Sequence, residues 1–573
     1  MTQRLWSLHP KAPESHFRTF AHLSRPVAQL LYNRGLTSSA AAHAFLARTV
    51  SGNNPFELHG MFEAVTRIRH ALARNERIMV HGDFDADGVT STTVLVTALS
   101  ELGATVAPYI PHRVDEGYGL NDAAIRKMAQ HGVSLMITVD CGIRAHNEIA
   151  LANDLGIDVI VTDHHSVPDR LPPALAIVNP HQPECRYPHK ELAGVGLAWK
   201  VVQALYLAER KRPIAGRQPL HPNELLDLVA IGTVADIAPL VGENRWLVSE
   251  GLAQLRQRQR PGVRALLDSA HVDAAEMDSE AIGFFIGPRI NAAGRLDHAQ
   301  VAYKLLRAPT LEEGRQIASH LEFQNRQRQE LTRRALARAE AQIRDPDAPL
   351  LMVADNDCPE GIVGLVAGRL CERFYRPAIV VSEGPRESRA SCRSIPELHI
   401  TQLLDEVGDL LMRYGGHAAA AGFTVETRNL PELQEALTAL AAAKLADYDQ
   451  LLPKLVVDAE LPLHQVSDEL IDEITHLAPF GERNAAPVWV ARNLRVVDAR
   501  PVGSTQSHLK LWLQDGEGQR WSAIAFRQGE RFATLPPVLD VVFQLKRNVW
   551  RGQSRIELQL SDFREAELAA MVG

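Results

Sequence analysis

RIMVHGDFDADGVTS, residues 77–91, opens with an apolar run that reads as a strand and closes in a segment that reads as a helix. Between them Asp83, Asp85 and Asp87 stand at alternate positions. Carboxylates this close repel one another, and each loses hydration when even partly buried. A bound cation is the usual relief. His81, two residues ahead of the first carboxylate, adds an imidazole to the set.

Working outward, further apolar runs follow: TVAPYI (105–110), SLMITV (134–139), DVIV (158–161) and ALAIVN (174–179). They alternate with helical stretches near 88–101, 121–131 and 145–155. This alternation predicts a parallel sheet covered by helices, which binds ligands beyond the carboxyl ends of its strands. The chemically loaded motifs sit at those ends: HGDFDADG (81–88), VDCG (139–142) and TDHH (162–165), with Asp236 in IGTVADIAPL (231–240).

The candidate metal ligands are therefore His81, Asp83, Asp85, Asp87, Asp140, His164, His165 and Asp236. Carboxylates and imidazoles without thiolate suit Mn²⁺ or Mg²⁺ better than structural zinc. Two such ions, about 3.5–4 Å apart, can clamp the entering and leaving oxygens of a phosphate ester. Taken singly, each motif has a plainer reading. A DxD in a loop is often a helix cap, Asp140 can cap the next helix, and Asp236 can end one. Their convergence on one predicted rim is what favours a hydrolytic site.

The rest of the 573-residue chain sets bounds. Its length calls for about three or four domains. With 46% hydrophobic and 23% charged residues it has the composition of a globular protein. A net charge of −8 gives no overall attraction for a polyanion, so any nucleic-acid site must be a local groove. Five scattered cysteines without a CxxC argue against a disulfide framework or zinc ribbon and fit a reducing compartment. The amino-terminal stretch lacks the apolar core of a signal peptide, and no uncharged run reaches membrane-spanning length; the expected location is cytoplasmic.

Patterning divides the chain into a helical extension (1–70) appended to a first α/β domain (71–310), a connecting helix (311–346), a second α/β domain (347–448) and a strand-rich region (449–573). The connecting helix is rich in Arg–Glu pairs, read as a solvated connector with a basic channel wall as the sharper alternative. The last region, with runs such as LKLWLQ, SAIAF and VVFQLKRNVW, predicts a small barrel of the OB type. Trp550 and Arg551, in RNVWRG, are its candidate contacts with a nucleic-acid strand, by stacking and phosphate binding.

Asp163-His164-His165 in VTDHH is the signature of the DHH phosphoesterase superfamily, which the chain resembles. HGDFDADGVTS, ITVDCGI and GTVADIAPL occur in that superfamily's order. IGPRINAAGRLDHA (286–299), Ser391 to Ser394, GGHAAAAGF and LAPFGERNAAP narrow the resemblance to its single-strand-specific 5′→3′ DNA exonucleases, over essentially everything from about residue 50. The resemblance implies a DHH domain, a second domain of DHHA1 type and an OB-type barrel.

It also implies roles. His81, Asp85 and Asp140 would hold one ion; Asp87, Asp140, His164 and Asp236 would hold the other, with Asp83 an occasional ligand. Asp163 would orient its neighbours, and His165 would contact the scissile phosphate or protonate the leaving oxygen. Arg113, Ser391 and Arg393 would hold the 5′-phosphate, with Arg289 and Asn291 near the scissile bond. The expected activity is release of 5′-mononucleotides from single-stranded DNA in recombination and repair, by a monomer working beside single-strand-binding protein and a RecQ-type helicase. The alternatives are a DHH phosphodiesterase for short oligoribonucleotides or cyclic dinucleotides, and a non-catalytic nucleic-acid-binding relative.

Overall fold

The computed structural model describes residues 4–566 apart from 114, 215, 449, 551 and 552. They form two units, one within residues 50–451 and the other of residues 4–49 together with those from 452 to 566.

In the first unit a five-stranded parallel sheet runs in the order Thr105–Tyr109, Arg77–Gly82, Val133–Val139, Asp158–Thr162, Ala176–Val178. The order reverses between Arg77–Gly82 and Val133–Val139, and such a reversal opens a crevice at the strands' carboxyl ends. Asp83, Asp85 and Asp87 follow one of these two strands and Asp140 follows the other. The sheet thus confirms the parallel α/β reading and puts the aspartates at its switch point.

The helix Ala86–Glu101 leaving the aspartate loop is buried on nearly every side. Its Thr90, Thr92 and Thr93 survive there because each hydroxyl donates to the carbonyl four residues back, at 2.7–2.8 Å. Five further strands make a mixed sheet, in the order Leu411–Gly416, Ala420–Glu426, Glu387–Arg393, Ala378–Ser382, Leu351–Asp355. The helix Leu311–Gln342 serves both sheets. Ala318 and Leu321 enter the core of the first, while Ala335 and Ala339 enter a core with Val353 and Val366 of the second. Most of its arginines are paired, Arg326 with Glu322, Arg333 and Arg334 with Glu330, and Arg338 with Asp355, as a solvated connector requires.

In the second unit, strands Trp489–Val502, His508–Gln514, Arg520–Ala525, Gln553–Glu565 and Val538–Trp550 close into a five-stranded barrel. PVWVA and LRVVDARPV, separate runs in the sequence, are one strand. Irregularities between Ala491 and Leu494 and between Val496 and Asp498 bend it, so it pairs with strands on both sides of the barrel.

The amino-terminal segment departs from expectation. Strand Leu5–Leu8 pairs in parallel with Lys454–Val457, and Phe17, Leu30 and Leu31 share a core with Leu461, Trp489 and Leu511. Leu58 and the helix Met61–Arg74 pack into the core of the first parallel sheet instead. The apolar stripe of Arg25–Asn33 announces a buried face but carries no information about which partner buries it. Burying Phe17, Leu30 and Leu31 contributes roughly 1.5–3 kcal/mol each, ample reason for residues 4–49 to belong with the barrel. Among the described residues, no helix is long and apolar enough to cross a membrane.

Candidate metal centre and anion pocket

Asp85 caps the helix Ala86–Glu101, its Oδ1 accepting from the N–H groups of Asp87 (2.9 Å) and Gly88 (3.0 Å). The cap reading of the DxD is therefore true of Asp85, but it does not exhaust the motif. Asp87 points the other way. Its two oxygens accept from Gly194 N (2.7 Å) and Val195 N (2.9 Å), the amino end of the helix Gly194–Lys211, whose dipole favours a carboxylate. Asp140 sits in left-handed backbone at φ 61°, and so does Ile237, at φ 59°, next to Asp236. Such conformations are held by surrounding structure and concentrate at functional sites. Gly194 is required for close approach, since a Cβ there would lie 2.8 Å from Asp140 Oδ1.

These elements bring the predicted ligands together. His164 Nε2 lies 3.0 Å from Asp140 Oδ1 and 3.9 Å from both Asp87 Oδ2 and Asp236 Oδ2. Three overlapping sets offer ligand atoms mutually within 4.8 Å: Asp83, Asp85 and Asp140; Asp87, His164 and Asp236; Asp140, His164 and His165. Asp83 thus joins Asp85 and Asp140, where only an occasional part was expected of it. His81 lies outside those sets, stacked on Tyr109 and fully buried.

The donors fit a cation. His81 Nδ1 faces Cys141 Sγ at 3.8 Å, while its Nε2 is buried without a hydrogen-bond partner. Asp83 Oδ1 is buried and unpartnered as well. Burial, and then the neighbouring Asp85, push Asp87 up to about 7; burial, Asp87 and Asp85 push Asp236 up to about 8. Burial and neighbouring carboxylates also raise Asp83 and Asp140. Burial holds His81 and His164 down to about 4, neutral and ready to ligate. Crowded carboxylates under such pressure are what a divalent ion relieves.

His165 differs. Asp163, buried, accepts from His165 Nδ1 (2.7 Å), His165 N (3.0 Å) and Ile143 N (2.9 Å). Burial opposes the charged ring, but the Asp163 contact outweighs it and lifts His165 to about 9. One residue of this neighbourhood escaped the sequence reading. Tyr118 places its hydroxyl 3.3 Å from Asp140 O and 3.4 Å from His165 Nδ1, and its ring remains more than half exposed. A lone tyrosine in a glycine-flanked loop carries no spacing signal by which to find it.

Arg113 lies with its guanidinium 4.6 Å from the centre of the Phe84 ring, within the fields of Asp83 and Asp85. Its loop is tied by Glu116, which accepts from Tyr109 Oη, His112 N and Asn121 Nδ2. Ser391 and Arg393 share a face of strand Glu387–Arg393, with Arg393 Nη1 donating to Ser391 Oγ at 3.0 Å. Cys392 between them points into the apolar core, away from Ser391 and Arg393.

Arg289 and Asn291, expected near the scissile bond, have partners within the fold. Arg289 donates to Glu322 Oε2 and to Phe285 O, both at 2.7 Å, locking the helix Gly287–Leu296 to Leu311–Gln342. Asn291 Oδ1 accepts from Ala86 N at 2.8 Å, bracing the loop that carries Asp85 and Asp87. A long polar side chain near a buried loop finds backbone and carboxylate partners that spacing along the chain cannot reveal.

In the barrel, Trp521 and Phe543 are core. Trp512 is half-buried, with Arg500 and Lys510 5.2 and 5.8 Å from its ring centre. Lys510 is engaged by Ser522 and Glu557, and Arg547 by Asp468 and Asp472. Arg551 and the side chain of Trp550 lie outside the described residues.

Comparison with known proteins agrees in chain order. Residues 77–233 match the DHH family, N-terminal domain, residues 347–443 the DHHA1 domain, and residues 457–562 the RecJ OB domain. The chain is 38% identical over 550 residues to the single-stranded-DNA-specific exonuclease RecJ of Bacillus subtilis, covering 94% of this chain and 68% of that protein. It is 35% identical over 554 residues to the Escherichia coli RecJ, covering 93% and 95%. The crystal structure of Thermus thermophilus RecJ in complex with Mn²⁺ matches with a TM-score of 0.85 at 32% identity, over 98% of this chain and 80% of that one. With its fold, its switch-point carboxylates and these likenesses in agreement, the chain belongs to the RecJ family of single-stranded-DNA-specific exonucleases.

Proposed function

We propose that this chain is a divalent-metal-dependent exonuclease that shortens single-stranded DNA from its 5′ end and releases 5′-mononucleotides. The observation that carries the reading is the meeting of Asp83, Asp85, Asp87, Asp140, His164 and Asp236 at the switch point of the parallel sheet. Family membership supports it.

In this reading Asp83, Asp85, Asp87, Asp140, His164 and Asp236, with His81 beside them, hold two ions, Mn²⁺ or Mg²⁺. Such ions, when bound, polarise a phosphodiester and lower the pKa of water. The chain's own residues supply the rest. Arg113, Ser391 and Arg393 grip the terminal 5′-phosphate, guanidinium forks suiting its oxygens. Gripping the end sets the next phosphodiester over the carboxylate cluster, which fixes both polarity and mononucleotide length. His165, kept protonated by Asp163, offers its other ring nitrogen to the leaving oxygen as a general acid. Asn291 and Arg289 keep the cluster's loop and the neighbouring helix in place. Trp512, flanked by Arg500 and Lys510, offers the incoming strand a stacking face in the barrel.

The same reading places a monomer in the cytoplasm, acting in recombination, mismatch repair and related DNA repair beside single-strand-binding protein and a RecQ-type helicase. The five cysteines, all buried and unpaired, accord with a reducing compartment. The test is linear 5′-phosphorylated single-stranded DNA incubated with Mn²⁺, beside circular single strands and short oligoribonucleotides. Mononucleotides from the linear DNA and an untouched circle are expected. Cutting of the circle, preference for the short RNA, or binding without hydrolysis would each overturn the reading.

A further inference from the structure

The segment Gly361–Gly364, at the amino end of the helix Val363–Phe374, is held from two sides. On one side Arg295 Nη1 donates to Gly361 O at 3.0 Å. On the other stand Ser391 and Arg393, so close that a Cβ on Gly364 would lie 3.0 Å from Ser391 Oγ and from an Arg393 Nη2. Arginines from the two α/β domains therefore converge on one short stretch of backbone.

Arg295 feels Arg113, Arg328 and Arg393 most strongly, and the acid acting on it in return is Asp85. Burial and these three cations pull Arg295 down to about 9. Arg328, from the helix Leu311–Gln342, donates through Nη2 to Asn325 Oδ1 at 2.9 Å, while its Nε is buried with no hydrogen-bond partner. The fields of Arg113, Arg328 and Arg393 act together against the charge of Arg295, and an anion held beside it would relieve them. A terminal phosphate monoester, carrying about −1.5 to −2 at neutral pH, matches them better than a singly charged internal diester.

We propose that Arg295 is a specificity-determining ligand of the terminal 5′-phosphate, which with Arg113 and Arg393 makes the enzyme prefer a phosphate to a hydroxyl at the 5′ end. This rests on the proposed exonuclease function. The plainer role, pinning Gly361 O, needs a donor but no charge, and that difference makes the two separable.

Full-length enzyme, Arg295→Gln, Arg295→Lys and Arg328→Gln are assayed with Mn²⁺ on the same single-stranded DNA bearing a 5′-phosphate or a 5′-hydroxyl. The wild type should favour the phosphate in kcat/KM by at least about tenfold. Arg295→Gln keeps a donor for Gly361 but loses the charge, and should shrink that ratio towards one, by about tenfold, through KM for the phosphorylated DNA. Arg295→Lys should fall between, and Arg328→Gln should narrow the ratio by a smaller factor. Thermal unfolding and the Mn²⁺ midpoint report whether each variant is folded; should Arg295→Gln not fold, the lysine and Arg328 variants decide. A wild type indifferent to the 5′ group, or ratios left intact in the folded variants, or equal losses on both DNAs, would overturn the inference. A wild type that hydrolyses neither DNA with Mn²⁺ would instead overturn the exonuclease reading beneath it.

Discussion

Asn291→Ala tests whether this residue serves the metal loop or the substrate. Its Oδ1 accepts from the N–H of Ala86, between Asp85 and Asp87, at 2.8 Å, and Ala86 is 1% exposed. Removing the acceptor leaves a buried donor unpaired, which costs about 1–3 kcal/mol. If that cost is felt in the geometry of the loop, Mn²⁺ binding weakens by about 5- to 150-fold, in line with the roughly 10- to 100-fold typical of residues that orient metal ligands. The assay is a Mn²⁺ titration of hydrolysis, with calorimetric titration of the metal alone as the independent measure. Activity should return at high Mn²⁺, while KM for DNA changes little at saturating metal. An unchanged Mn²⁺ midpoint with a raised KM for DNA would refute the argument and restore Asn291 as a substrate ligand.

His165→Ala should keep Mn²⁺ affinity and lose about 10²- to 10⁴-fold in kcat, measured by single-turnover cleavage; loss of metal binding instead would make it a ligand. The chelated protein should lose stability as pH rises through about 7–8, because Asp87 and Asp236 bind protons more tightly folded than unfolded. Mn²⁺ should abolish that loss, bind more tightly as pH rises over the same interval, and raise the Tm, all visible in thermal melts across pH. Trp512→Ala should weaken binding of long single strands by about 1–3 kcal/mol in fluorescence anisotropy, while cleavage of very short oligomers stays near wild type.

What the sequence made legible was periodic or clustered. The parallel sheet followed from apolar runs alternating with helices, and the ligand cluster from acidic and histidine motifs at strand ends, because strand period and switch-point geometry are local rules. What it hid depends on partners distant along the chain. That Asn291 braces Ala86 and Arg289 pairs with Glu322 emerges only from the fold. Asp83 reads as marginal until the turn of the loop groups it with Asp85 and Asp140. Residues 4–49 read as an appendage of the nearest domain because an amphipathic helix names no partner. Trp512 was one aromatic among several in the barrel, singled out only by its half-buried ring between two cations.

The pairing of Leu5–Leu8 with Lys454–Val457 has a consequence for how the molecule is made. A ribosome emits residues 4–49 well before their partners, which emerge only after roughly 400 further residues. At about 5–20 residues per second that is a wait of about 20–80 s, during which Phe17, Leu30 and Leu31 have no native core to enter. Those side chains stay without their native neighbours for that interval, and the core they share with the barrel closes only after residues from 452 onward have emerged.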